Sequence, residues 1–96
     1  MKKFVFLYYG WEQPTPAIAE AWMSWFASLD DRIINSGNPF GGGREVTRDG
    51  VRDLSADTSP IAGYSIISAT DFDEAEQLLD GLPFIDSVRI YEAVPM

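Results

Sequence analysis

An α+β fold, with two helices on one face of an antiparallel sheet, is predicted by three observations. Apolar, β-prone runs occupy residues 4–9, 61–69 and 87–94, and helical patterns separate them. Between the first helix and the second run, Asp49-Gly50 sits between two polar extended segments, the strongest short-range signal for a two-residue hairpin turn. With right-handed crossovers, this order gives a ferredoxin-like βαββαβ sandwich with an extra β-hairpin, in a single domain spanning residues 1–96.

The first run, Phe4-Val5-Phe6-Leu7-Tyr8-Tyr9, stops at Gly10. Phe4, Phe6 and Tyr8 fall on one face and Val5, Leu7 and Tyr9 on the other, so the strand is expected to be central and covered on both sides. After a loop, Thr15 is suited to cap a helix and Pro16 to occupy its first position, where a missing N–H costs nothing. Ile18, Trp22, Trp25, Leu29 and Ile33 recur at spacings of three and four, which predicts a helix to about Asn35. Gly37 is expected to stop it. Met23, Phe26 and Ile34 widen the apolar arc beyond the ~100° stripe that one core contact needs. That excess suits a pocket wall, a contact with a partner, or loops folded over it.

Pairing outward from Asp49-Gly50 sets Val46 opposite Asp53 and Glu45 opposite Leu54. So polar a hairpin is expected at an edge. The run 61–69 is a second interior strand. Asp71 caps a second helix, with Glu74 placed to close a capping box. Phe72, Ala75, Leu78 and Leu79 form that helix's apolar face, Gly81 ends it, and Pro83 prevents its return.

Composition excludes much chemistry. The chain has 96 residues, no cysteine and no histidine. A domain of this size buries only roughly 60–65% of its unfolded surface, and here no disulfide assists it. The lack of cysteine favours a reducing, cytoplasmic setting. No thiolate nucleophile, imidazole base or His/Cys metal site is available, so no cofactor and no metal are expected. Asp71, Asp73, Glu74 and Glu76 lack the spacing of a calcium loop and read as a solvated helix face. A net charge of −8 repels phosphate backbones and anionic headgroups, so neither nucleic acid nor a membrane is an expected partner. No stretch has the length of a membrane span or the pattern of a signal peptide.

The helices cover one sheet face only, and the other face of the central strands is apolar. A second copy of the sheet is the simplest cover, so a homodimer through the sheet faces is expected.

Four strings, in order, resemble the YCII-related family, whose members are dimeric α/β barrels. They are residues 4–9 closing on Gly10 with Glu12 beyond; Ser36-Gly37 followed by Phe40-Gly41-Gly42-Gly43; Ile61-Ala62-Gly63-Tyr64; and Asp71-Phe72-Asp73-Glu74-Ala75-Glu76 followed by Leu82-Pro83-Phe84. The resemblance implies the same fold and a dimer. Enzyme-like members of that family are associated with a His–Asp pair whose histidine sits on the first helix, near the position Phe26 holds here. This chain has no histidine, and its Asp49-Gly50 continues into Val51-Arg52, so no catalytic residue carries over.

The residues themselves suggest a cleft between the first helix and the sheet, walled by Tyr9, Trp25, Phe26 and Tyr64, with Arg44 at its mouth. Aromatic walls with few polar groups describe a small-molecule pocket. Trp22 reads as core. Gly41-Gly42-Gly43-Arg44 reads as a twisted strand start more than as an anion cradle. Two functions follow. One is a non-catalytic binder of a small aromatic or acidic molecule. The other is a cofactor-independent, lyase- or isomerase-like enzyme, with Glu12 or Asp57 as general base, Arg44 anchoring an anionic group and Tyr64 orienting or donating a proton.

Overall fold

The computed structural model describes residues 1–55, 60–83 and 85–96. The candidate base Asp57 and Phe84 of the Leu-Pro-Phe string lie outside them. Strand β1 (Lys2–Tyr9) is central, as its two apolar faces require. It pairs antiparallel with β5 (Ile61–Ala69) on one side and with β6 (Ser87–Ala93) on the other. A short strand, β2 (Ile33–Asn35), pairs antiparallel with the far edge of β5, giving the order β2-β5-β1-β6. Helices α1 (Pro16–Leu29) and α2 (Phe72–Gln77) complete an α+β fold compatible with the ferredoxin-like expectation.

Directly opposed residues of a sheet share a face, so register defines the core. Phe4, Phe6 and Tyr8 stand opposite Ile67, Ser65 and Gly63 of β5 and opposite Glu92, Ile90 and Val88 of β6. On this face Phe4, Phe6 and Ile67 are fully buried, packed with Trp25 and Leu29 from α1 and with Ala75 and Leu79 from α2 and its exit. Val5, Leu7 and Tyr9 fall on the other face with Ile66 and Tyr64.

Three expectations need correction. The helix expected to reach Asn35 ends at Leu29, passes through a 3-10 turn (Asp30–Arg32) and becomes β2. Two aspartates at the C-terminal end oppose the helix dipole, and no basic residue lies in the last turn to offset them. Asp30 leaves the helix at φ 50°, a conformation that aspartate tolerates better than most residues. The β-branched pair Ile33-Ile34 then suits an edge strand, where Ile33 faces Ile67.

The hairpin of β3 (Arg44–Thr47) and β4 (Gly50–Asp53) forms its own two-stranded sheet and does not extend the main one; β2 holds that edge. Its register also differs, with Thr47 opposite Gly50, Val46 opposite Val51 and Glu45 opposite Arg52. The turn is therefore Arg48-Asp49. Thr47 tightens it, its hydroxyl accepting from Asp49 N at 3.2 Å and donating to Gly50 O at 3.3 Å. This register places the two valines as a pair and lets Arg52 meet Glu45 at 3.3 Å.

Gly37, finally, is no helix stop. It lies beyond β2, at φ 78°, where the chain crosses β5.

The helix starts agree with expectation. Thr15 Oγ1 accepts from Ile18 N at 3.2 Å, and Pro16 opens α1. Asp71 caps α2 by accepting from Glu74 N at 2.9 Å, but Glu74 returns to Thr70 N, one residue before the cap, at 3.1 Å. The hydrogen bond from Arg32 to Glu74, followed by that from Thr70, holds the Glu74 carboxyl below the usual range. Among the described residues, no helix is long and apolar enough to cross a membrane.

Candidate functional site

Beyond β2 the chain continues along the edge of β5 as an irregular ribbon. Tyr64 N donates to Asn38 O at 3.4 Å, Phe40 N donates to Ala62 O at 2.7 Å, and Pro39 bridges to Gly63. The N-terminal half of α1 lies over the opposite border of the same region. Between ribbon and helix opens a cavity of about 710 Å³, within the size range of small-molecule sites. Tyr8, Trp22 and Phe26 form its deep aromatic wall, and Trp11, Met23 and Phe40 its outer one.

The wall is built by aromatic packing. The Tyr8 and Trp22 rings meet edge to face at 4.9 Å, Trp22 lies 5.8 Å from Phe26, and Phe40 stacks on Tyr64 at 5.6 Å. Beneath it, Ser65 Oγ donates to Ser36 O at 2.7 Å. A carbonyl only accepts, so the single hydroxyl proton of Ser65 is committed there. The 2.8 Å contact between Tyr8 and Ser65 is therefore donated by Tyr8. The phenol oxygen keeps acceptor capacity, while its proton is held.

Burial pushes the Tyr8 phenol up to about 12 from 10.0, outweighing the opposite effect of its bond to Ser65. Because the folded-state value is the higher, the associated stability is complete below about pH 10 and is lost as the pH rises through about 12. In an ultraviolet difference titration, one of the four tyrosines is expected to ionise last, and Tyr8→Phe should abolish that late phase. Ionisation of all four together near pH 10 would contradict this assignment.

The structure brings together only part of the expected cleft. Phe26, Tyr64 and Glu12 line the cavity. Trp25 does not: it is 2% exposed in the core, and its Nε1–H donates to Leu78 O at 2.9 Å, tying α1 to the end of α2. Tyr9 stands on the opposite sheet face, where the Arg89 guanidinium lies 4.6 Å from its ring centre. Arg44 belongs to the separate hairpin, opposite Asp53, and is not among the lining residues.

Sequence reasoning missed Tyr8 and Phe40, counted Trp11 among the chain's aromatic residues without placing it in the wall, and read Trp22 as core. Trp22 and Trp25 occupy the same apolar stripe, yet Trp22, nearer the helix N-terminus, lines the cavity while Trp25 is enclosed in the core. Trp11 carried the one available signal, an aromatic side chain in a polar loop.

Among the described residues Glu12 is the only acidic or basic side chain on the cavity wall, and it has no hydrogen-bond or ion-pair partner there. Among those residues no cluster of three or more acidic side chains is arranged to hold a metal ion. No family model and no curated protein sequence matches the chain.

Proposed function

We propose that this chain is a binding protein for a small, largely apolar molecule held in the cavity between α1 and the β5 edge. The observation that carries this reading is the ring of uncovered apolar side chains around the cavity. Trp11 is 65% and Met23 72% exposed there. Such groups are costly to leave in water, and a ligand that covers them recovers that free energy. The acidic half of the expected ligand class has no counter-charge in the wall, since among the described residues no basic side chain lines it. Titration of the full chain with an apolar aromatic probe, followed by tryptophan fluorescence, tests the reading: a saturable change is expected, and none would remove it.

A second reading, catalysis, draws on the position of Glu12 in the wall. Glu12 would act as general base from the cavity wall, without Arg44 as an anchor and with the Tyr8 and Tyr64 side chains on opposite sheet faces. Glu12→Gln would then abolish turnover while sparing binding of an apolar probe.

The reading includes a homodimer formed through the sheet face that carries Val5, Leu7, Tyr9, Ile66 and Tyr91. An apolar face with no helix over it supports the pairing, as does the likeness to the YCII-related family's dimers. The absence of cysteine accords with a cytoplasmic setting. Sedimentation at micromolar concentration is expected to give about twice the chain mass, 10.7 kDa. A monodisperse monomer would contradict the pairing.

A further inference from the structure

We infer that the cavity selects an organic cation, an alkylammonium group attached to an apolar body, in preference to a neutral or acidic molecule. This rests on the cavity being a binding site, and it adds the charge of the ligand.

The first support is the chemistry of the wall. Trp11, Trp22, Phe26 and Tyr8 contribute aromatic rings, and Phe40 stacks on Tyr64. Ring faces carry negative potential, and tryptophan attracts a cation most strongly. Trp11 is the most exposed of the cavity's aromatic side chains, which leaves its ring open to a ligand. The phenol oxygen of Tyr8 adds an acceptor whose proton is already given to Ser65. A polar group on the ligand meets a lone pair there and no available hydroxyl proton.

The second support is the charge distribution, which is independent of the rings. Among the described residues Glu12 is the one charged side chain in the wall, and none of the protein's own cations satisfies it. Lys2, 3.8 Å from Glu92, and Lys3, opposite Ser68 and Ala93, stand at the far end of β1, Arg32 pairs with Glu74, and Arg89 covers Tyr9 on the opposite sheet face. Arg44, Arg48 and Arg52 belong to the hairpin and its turn. The net charge of −8 adds a long-range field that draws cations in and repels acids. A carboxylate ligand would meet Glu12 with no compensating base, whereas a neutral ligand leaves Glu12 unused.

Three probes of matched shape separate the possibilities: phenyltrimethylammonium, its neutral isostere tert-butylbenzene, and the anion para-tert-butylbenzoate. Each is titrated into the full chain and followed by tryptophan fluorescence. The cation is expected to bind about tenfold more tightly than the neutral probe, and the anion more weakly than either. Glu12→Gln, an exposed position whose circular dichroism should match the parent, is expected to weaken cation binding several-fold. It should leave the neutral probe unchanged, and added salt should reduce only the cation's advantage. Equal or tighter binding of the neutral probe or the anion would overturn the cation preference while the cavity reading stands. Cation binding unaffected by Glu12→Gln would remove the carboxylate's part and with it the inference. If none of the three probes binds, both readings fall together.

Discussion

Replacing Trp25 by alanine is expected to destabilise the protein by about 3–5 kcal/mol, the range for loss of a buried large aromatic side chain. Trp25 is almost wholly enclosed, with ring centres 6.3 Å from Phe6 and from Tyr8 and 5.1 Å from Phe26. Its indole also donates to Leu78 O, the bond that joins the two helices. Trp25→Phe separates the contributions. It keeps most of the apolar volume but leaves the Leu78 carbonyl short of a donor, which costs about 1–3 kcal/mol. Urea unfolding of both variants checks the order, alanine below phenylalanine below parent. A Trp25→Ala variant of parental stability that failed to bind an apolar probe would return Trp25 to the ligand wall, where the sequence first suggested it.

The second large effect is expected at Gly37. A Cβ built there would stand 1.7 Å from the backbone carbonyl oxygen of Tyr64, closer than any real contact, and the residue holds φ 78°. A flexible side chain could move aside, but a carbonyl within the β5 strand cannot do so without disturbing its ladder. Gly37→Ala therefore carries both the left-handed backbone cost and the displacement of the ribbon from β5, on the order of 3 kcal/mol or more. Because that ribbon forms one side of the cavity, probe affinity is expected to fall together with stability. A thermal melt unchanged from the parent would show that the ribbon does not cross β5 as described. Gly41, by contrast, has open space at the same position, and Gly41→Ala serves as the control.

The sheet was legible where the pattern was unambiguous. The first strand is apolar on both faces and so proved central, and the 61–69 run forms β5 without change of boundary. Thr15-Pro16 and Asp71 fixed where the helices begin. What misled was a periodicity that outlived its helix. Ile33 continues the stripe of Ile18, Trp22, Trp25 and Leu29 by spacing alone, although Asp30-Asp31 had already ended α1. With β2 hidden inside the presumed helix, the Asp49-Gly50 hairpin took its place at the sheet edge, and the glycine was set inside the turn instead of just after it. The site was legible in kind more than in detail. An excess of aromatic residues on the α1 arc signalled a cavity, and Met23 and Phe26 do line it. Strand alternation alone would have sent Tyr9 to the face opposite Phe6 and brought Tyr8 to the cavity, but that inference needs to know which sheet face the helices cover. Nothing in sequence spacing distinguishes Trp22 from Trp25.

The three tryptophans make the decisive measurement simple, because each gives one indole N–H signal in a nitrogen-15 correlation spectrum. Titration of labelled protein with phenyltrimethylammonium is expected to move the Trp11 and Trp22 indole signals, together with the backbone amides of Ser36, Phe40 and Tyr64. The Trp25 indole, bonded to Leu78 O away from the cavity, should stay in place. That pattern would place a small molecule between α1 and the β5 edge. A spectrum in which no signal moves, or in which the changes fall on Trp25, Tyr9 and Arg44 while Trp22 is unaffected, would contradict it.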